Sequence, residues 1–302
     1  MFLWICVRGA ERAVALLSNV FGAGNRPQPG DVYGECRLIE KVAEGRLSWL
    51  FRGEHGGTHE SVAVKILSDH GCEIAAKLHR VKREWEGERA AKLEHRNIVR
   101  SLGCGKQHSR FYLVMEFLPG GTLANLLSIY SPAIEGKRIE IMRQAARGLE
   151  YVHSRGIIHR DICPRNIMLS TYGVAKLIDF GVAISKTDRV LHRGLRTGRP
   201  GFMAPEILRD YRYNEATDVY AFGVCLYEAV CGRRPFHLSE NTFEAITAAL
   251  NMGIPRPREV RPSVSPRLEA IIVRALAQRP DVRYPSFTVL LNDLAEVTEA
   301  DL

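Results

Sequence analysis

The spacing of hydrophobic and polar positions changes about a third of the way along the chain. Between residues 32 and 118 the apolar residues come in short runs separated by turn residues. "GECRLIEKV", "SWLFRGE", "ESVAVKIL" and "RFYLVMEFL" each carry β-branched or aromatic residues, and each predicts a strand. One segment, between about 72 and 94, differs. Ile74, Leu78, Val81 and Trp85 recur there at spacings of 4, 3 and 4, the stripe of one helix face. After "PGG" at 119–121 the pattern turns helical. "RIEIMRQAARGLEYVHSRG" predicts a helix that stops at Gly156. "DVYAFGVCLYEAVCG" is apolar almost all round and predicts a buried helix. "SPRLEAIIVRALAQ" predicts an amphipathic one. The expected fold is α+β and bilobal. A small β-rich lobe with one main helix covers 31–118, a larger α-helical lobe covers 119–298, and a hinge lies at 117–121.

The first 30 residues stand apart as an amphipathic segment and linker. In "MFLWICVRGAERAVALLSNVFGAG" the unbroken apolar run ends at Arg8, too short for a membrane span. No basic residue precedes it, which argues against a secretory signal. Two readings stay open: a helix packed on the main domain or a loose extension, and an interfacial or partner-docking helix. The second would use Phe2, Leu3, Leu16, Leu17 and Phe21, making residues 1–25 a candidate docking element. "GAGNRPQPGD", 22–31, reads as linker.

Composition adds limits. With 302 residues, 46% apolar and 25% charged, the chain can bury a sizeable core and is not a disordered type. A net charge of +8 could attract nucleic acid, anionic lipid or acidic protein segments. No run of five Lys or Arg occurs, so nucleic acid is not the expected partner. Seven cysteines, at 6, 36, 72, 104, 163, 225 and 231, include no CxxC pair. That argues against a zinc site or a disulfide framework and for a reducing compartment, here the cytoplasm.

The candidate chemistry is phosphoryl transfer, which needs positioning more than covalent work. Lys65 closes the strand "SVAVK", about 20 residues after Gly45. It could hold phosphates if an acidic partner on the following helix fixed it. Glu86 is the expected partner, with Glu84 and Glu88, two residues to either side, as alternatives. "HRDICPRN", 159–166, is followed thirteen residues later by the Asp179 of "LIDFG". Asp161 can accept a hydroxyl proton. Asn166 and Asp179 offer hard oxygen ligands suited to Mg2+.

From about residue 33 to 297 the chain resembles a eukaryotic-type protein kinase domain, serine/threonine-like with an atypical catalytic loop. The resemblance rests on "VAVK", "VMEF", "HRDICPRN", "DFG", "MAPE", "DVYAFG" and, near the end, "RPDVRY". It implies ATP in a cleft between the lobes and Asp161 as catalytic base, with Arg160, Lys65 and Asn166 in the catalytic set. It implies Mg2+ on Asn166 and Asp179. Val42, Ala43, Gly45, Leu50 and Ala63 would line the nucleotide site with Lys65, Glu86 and Asp179. Met115 would stand behind the adenine, with Glu116 to Leu118 in the hinge. Glu206 would pair with Arg283, and Asp218 would anchor the catalytic loop. A protein would be the substrate.

Three departures complicate the resemblance. In "VAEGRLSWL", 42–50, only Gly45 of the family's three glycines remains; Ala43 and Ser48 take the flanking places. Glycine serves there for close backbone approach and positive φ, so weaker ATP binding is expected. Cys163 replaces the lysine usual in the serine/threonine branch, and Arg199 replaces a threonine. Arg199, or Arg165, would then restore the missing charge. A thiol beside cations could also have a lowered pKa and sense oxidants, although inert packing is the plainer reading. Leu195 stands at the usual phosphoacceptor position of the activation segment 179–206, leaving Thr197 and Thr187 as nearby hydroxyls. Thr197 is the favoured site of autophosphorylation. Arg189, Arg193, Arg196 and Arg199 make the segment basic.

The leading expectation is an active serine/threonine kinase. A pseudokinase serving as a nucleotide-binding interaction module, or a tyrosine or dual-specificity kinase, remains the alternative. A small-molecule phosphotransferase is disfavoured by the "APE" motif and the long segment before it. With no sensor domain or membrane span, signals are expected through a partner or the first 30 residues.

Overall fold

The computed structural model describes residues 26–45, 47–72, 93–185, 198–210, 212–236 and 253–302. The first half of the chain builds one six-stranded antiparallel sheet. Its strands are β1 (Val32–Tyr33), β2 (Cys36–Glu44), β3 (Ser48–His55), β4 (Ser61–Leu67), β5 (Ser101–Gln107) and β6 (Arg110–Glu116), in the spatial order β1-β2-β3-β4-β6-β5. The four runs predicted as strands correspond to β2, β3, β4 and β6. The expected helix of 72–94 falls almost wholly outside the described residues.

Strand β5 has no counterpart in the sequence reading, because "SLGCGKQ" carries two glycines where alternating hydrophobes would signal a strand. The structure supplies the reason for one of them. A Cβ on Gly105 would stand 2.7 Å from the Tyr112 hydroxyl on the paired strand. The tyrosine ring fills the space that a side chain would take.

Register divides the sheet into two faces. Side chains alternate along a strand and directly opposed residues share a face. Phe51 pairs with Val64, and Val64 with Val114. These three join Tyr33, Leu38, Trp49, Val62 and Ile66 in one buried cluster. On the other face Leu50 lies opposite Lys65, and Ala63 opposite Met115. Ala43 lies opposite Leu50. The period-2 pattern thus packs one face and leaves Lys65 on the other.

The second half is mostly helical: α1 (Leu123–Ser128), α2 (Arg138–Ser154), α3 (Pro205–Asp210), α4 (Glu215–Cys231), α5 (Pro257–Val260), α6 (Pro266–Ala275) and α7 (Phe287–Ala295). Gly156, at φ +71°, follows α2 as its composition predicts. Helix α4 is buried on nearly every side, with the Asn214 side chain accepting from Thr217 N at its start and left-handed Gly232 at its end. Around α4 pack α2, α5 and α6, while α7 lies on α2. Two short hairpin-like pairings complete this lobe. β7 (Ile157–Ile158) pairs with β10 (Ile184–Ser185), and β8 (Ile167–Leu169) with β9 (Ala175–Leu177). The loop between β7 and β8 is "HRDICPRN".

Candidate active site

That loop is fixed from below by one buried carboxylate. Asp218, in the first turn of α4, accepts from the backbone N–H of His159 at 2.8 Å and of Arg160 at 2.9 Å. It also bonds His153 Nε2, near the end of α2, at 2.8 Å. Burial pushes the Asp218 carboxyl upward, but the bond and charge of His153 and the neighbouring His159 and Arg160 N–H hold it below its ordinary value. Arg160 has φ +68°, a left-handed backbone that costs a non-glycine residue about 1–3 kcal/mol. The two N–H bonds to Asp218 hold that conformation in place. Arg160 Nε also donates to Val182 O at 2.6 Å, tying the loop to the segment after Asp179.

Above this anchor four predicted residues converge. Asn166, 2% exposed, donates through Nδ2 to Asp161 O at 2.7 Å and to Asp161 Oδ2 at 2.8 Å. Lys65 Nζ, from β4, donates to Asp179 Oδ1 at 2.9 Å. That contact joins the sheet to the helical lobe. Asp179 also has a left-handed backbone, φ +67°. Burial would raise its pKa, but the Lys65 charge and hydrogen bond hold it low. Asp161 goes the other way. Burial, together with the Asp179 charge, pushes it up to about 6, against the pull of Arg199 and Asn166. One carboxyl is thereby kept ionised, while its neighbour is poised to exchange a proton near neutral pH.

Asp161 Oδ1 and Asp179 Oδ2 are buried and make no hydrogen bond. An ionised oxygen in that state calls for a donor or a cation. The donor set fits magnesium. Asp179 Oδ2 is an unsatisfied hard oxygen, and the Asn166 amide nitrogen is used on Asp161, leaving its Oδ1 as second ligand atom.

Cys163 lies beside this group at 1% exposure. The Arg199 guanidinium touches the Cys163 sulfur and stands 3.8 Å from Asp161 Oδ2. Of the two arginines considered for the missing charge, Arg199 is at the site and Arg165 is exposed. The suggested lowering of the Cys163 pKa is overturned. Burial pushes the thiol up to about 12, Asp161 adds to this, and Arg199 offsets only part. A buried neutral thiol is a poor nucleophile, so a sensor role loses its physical basis.

The positions expected to face a nucleotide fall on β2, β3, β4 and β6 and the residues just beyond them. Val42 is half exposed and Ala43 exposed. Gly45 N donates to Ser48 O at 2.9 Å and closes the turn. Leu50, Ala63 and Met115 are half-buried on the cleft side of the sheet, and Leu118 is buried. None of Ala43, Gly45 and Ser48 has a positive φ. The backbone-freedom argument for glycine there therefore falls away, leaving close approach alone. Glu116 accepts from Arg100 N and from Lys176 Nζ, both at 2.7 Å, which braces the hinge against β9. Glu84, Glu86 and Glu88, and Thr187, Arg189, Arg193, Leu195, Arg196 and Thr197, lie outside the described residues.

Glu206 and Arg283 meet as expected, in a bidentate pair at 2.7 and 2.8 Å. Sequence reasoning missed His153, Lys176 and Glu116 as bracing residues. Each acts through a partner far away in sequence, and no local motif marks it.

A family model described as a protein kinase domain matches residues 36–294. The chain belongs to the protein kinase family. Its α+β kinase fold follows, and members of this family generally use ATP with a divalent metal. Among similar kinases is the serine/threonine-protein kinase Pkn1 of Myxococcus xanthus, 34% identical over 89% of this chain and 39% of that protein. The tyrosine-protein kinase MasK of Myxococcus xanthus is 33% identical over 84% of this chain and 41% of its own length. The serine/threonine-protein kinase PknD of Mycobacterium tuberculosis is 30% identical over 86% of this chain and 39% of its own length. The chain thus spans about two fifths of the length of these relatives. Among the described residues no helix is long and apolar enough to cross a membrane.

Proposed function

We propose that this chain transfers the γ-phosphate of ATP to serine or threonine hydroxyls of a protein substrate. The observation that carries the reading is the convergence of Lys65, Asp161, Asn166 and Asp179 within one hydrogen-bonded group. Asp161 Oδ1, buried and unbonded, accepts the proton of the attacking hydroxyl. Asn166 holds Asp161 in orientation through its other oxygen. Lys65 positions the phosphates and keeps Asp179 ionised. Asn166 and Asp179 would hold magnesium, which would supply charge to stabilise the transferring phosphoryl group. Arg199 adds the cation that Cys163 cannot. The domain division at 31–118 and 119–298 belongs to the same reading, with the nucleotide between the two parts.

The test is transfer of labelled γ-phosphate to a basic and to an acidic generic protein with magnesium, using Asp161→Asn as the blank. Transfer by wild type only supports the reading. Nucleotide-dependent thermal stabilisation without transfer would convert it to a pseudokinase. Serine/threonine and tyrosine acceptors are separated by phosphoamino-acid analysis of the product. The tyrosine alternative draws on Cys163 at the serine/threonine lysine position and on the likeness to MasK.

A further inference from the structure

A cavity of about 370 Å3 opens beside the catalytic loop, between Cys163–Arg165, the turn Arg199–Phe202 and the end of α4. Three arginines line it: Arg165, Arg199 and Arg234. Arg199 is also part of the smaller pocket that contains Asp161, so one guanidinium separates the cavity from the proton acceptor. Neither Arg165 nor Arg234 makes an ion pair among the described residues. The site is shaped for a guanidinium: a Cβ on Gly201 would stand 2.7 Å from Arg234 Nη1. Any larger residue at 201 would have to displace Arg234.

Among the described residues of the lining Glu228 is the one acid, and its Oε2 makes no hydrogen bond. Burial raises its pKa, with Arg234 and Arg165 pulling it back only in part. Three cations against one weakened carboxyl leave the cavity positive. Guanidinium groups bind carboxylate and phosphoryl oxygens with paired N–H donors.

We propose that this cavity binds an anionic side chain of the peptide substrate, placed close in sequence to the accepting hydroxyl, and so sets a preference for acidic substrates. The proposal rests on the kinase reading above. Arg165 and Arg234 are the specificity-determining residues. Arg199 forms the wall shared with the reacting group.

The experiment measures kcat/KM for peptides with one acceptor hydroxyl in a neutral background. Aspartate, phosphoserine, alanine or arginine is placed in turn at the three positions on each side. The expected result is one position where an anion exceeds alanine by about tenfold, mostly through KM, and where arginine falls below alanine. Preference for either anion supports the proposal, and their ranking tells a carboxylate from a phosphate source. Arg165→Glu with Arg234→Glu should reverse the order of aspartate and arginine. Gly201→Ala should reduce the ratio of aspartate to alanine. Equal rates for all four residues at every position, with the neutral peptide phosphorylated, would overturn the proposal and leave the kinase reading standing. So would an acidic preference that both charge reversals left unchanged. No transfer to any peptide would sink the kinase reading itself.

Discussion

The hairpin at 42–50 and the loop at 159–166 both depart from the kinase pattern, in opposite surroundings. Val42 is 51% exposed, and Ala43 faces solvent beside Leu50. A changed side chain at 43 meets little besides a bound nucleotide, whereas Ser48, the other departure in the hairpin, is buried. Cys163 is 1% exposed, touches Arg199, and is two residues from Asp161. A lost charge in that place leaves a buried carboxylate less balanced, which is expensive unless another cation arrives. An exposed departure such as Ala43 can stand alone, whereas the loss of a buried charge calls for another cation nearby. The cation that stands there is Arg199, 3.8 Å from Asp161 Oδ2.

The largest effect that would sharpen this contrast comes from the part of the loop that has not departed. Asp161→Asn should lower kcat about a thousandfold, within the range of a positioned proton acceptor, while ATP still protects the protein in a thermal melt. A variant retaining more than a tenth of wild-type kcat would remove Asp161 from the mechanism and leave the loop no better preserved than the hairpin.

Next comes the anchor, which has no equivalent under the hairpin. Asp218→Asn turns one of the two accepting oxygens into a donor, so the amide opposes either the His159 or the Arg160 N–H. It should cost about 2–4 kcal/mol in denaturant unfolding. The pH dependence has a definite sign. The folded Asp218 pKa lies below its ordinary 3.8. Its stabilisation is therefore complete above about pH 4 and is lost as pH falls through the lower folded value. Wild type should lose stability on acidification through that window, and Asp218→Asn should show a flatter acid limb. Equal limbs would mean that Asp218 is not the residue titrating.

The exchange between Cys163 and Arg199 is tested at a smaller scale. Arg199→Ala should lower kcat about a hundredfold, the low end of the loss of one preorganised donor at developing charge. Arg199→Lys should recover part of it. In a double-mutant cycle, Cys163→Lys should be harmful beside Arg199, because two cations would then share a buried place. The same change should be beneficial with Arg199→Thr. Additive effects would show that the two positions changed independently.

The contrast between the two regions also explains what could be read from sequence. Lys65, Asp161, Asn166 and Asp179 were legible because short motifs carry them at fixed spacing. Strands β2, β3, β4 and β6 were legible from β-branched and aromatic runs. Strand β5 was not, since Gly105 answers to Tyr112 on the neighbouring strand rather than to its own segment. The braces His153 and Lys176 were hidden for the same reason. Their partners Asp218 and Glu116 are set by tertiary approach. Cys163 shows the limit most sharply. Neighbouring cations suggested a reactive thiol, but burial decides its state, and burial is not written in the local sequence.

The hairpin yields the smallest predicted effect. Ala43→Gly removes an exposed methyl from β2, opposite Leu50, without relieving strain, because φ at 43 is not positive. What it changes is how closely the backbone can approach a phosphate. KM for ATP should fall about threefold, with kcat altered by less than about twofold. The glycine should also cost about 0.5–1 kcal/mol of strand stability, visible as a slightly lower melting temperature without nucleotide. If kcat rose by tenfold instead, the hairpin would be coupled to the chemistry as tightly as the buried loop. The distinction between an isolated departure and a compensated one would then fail at its exposed end.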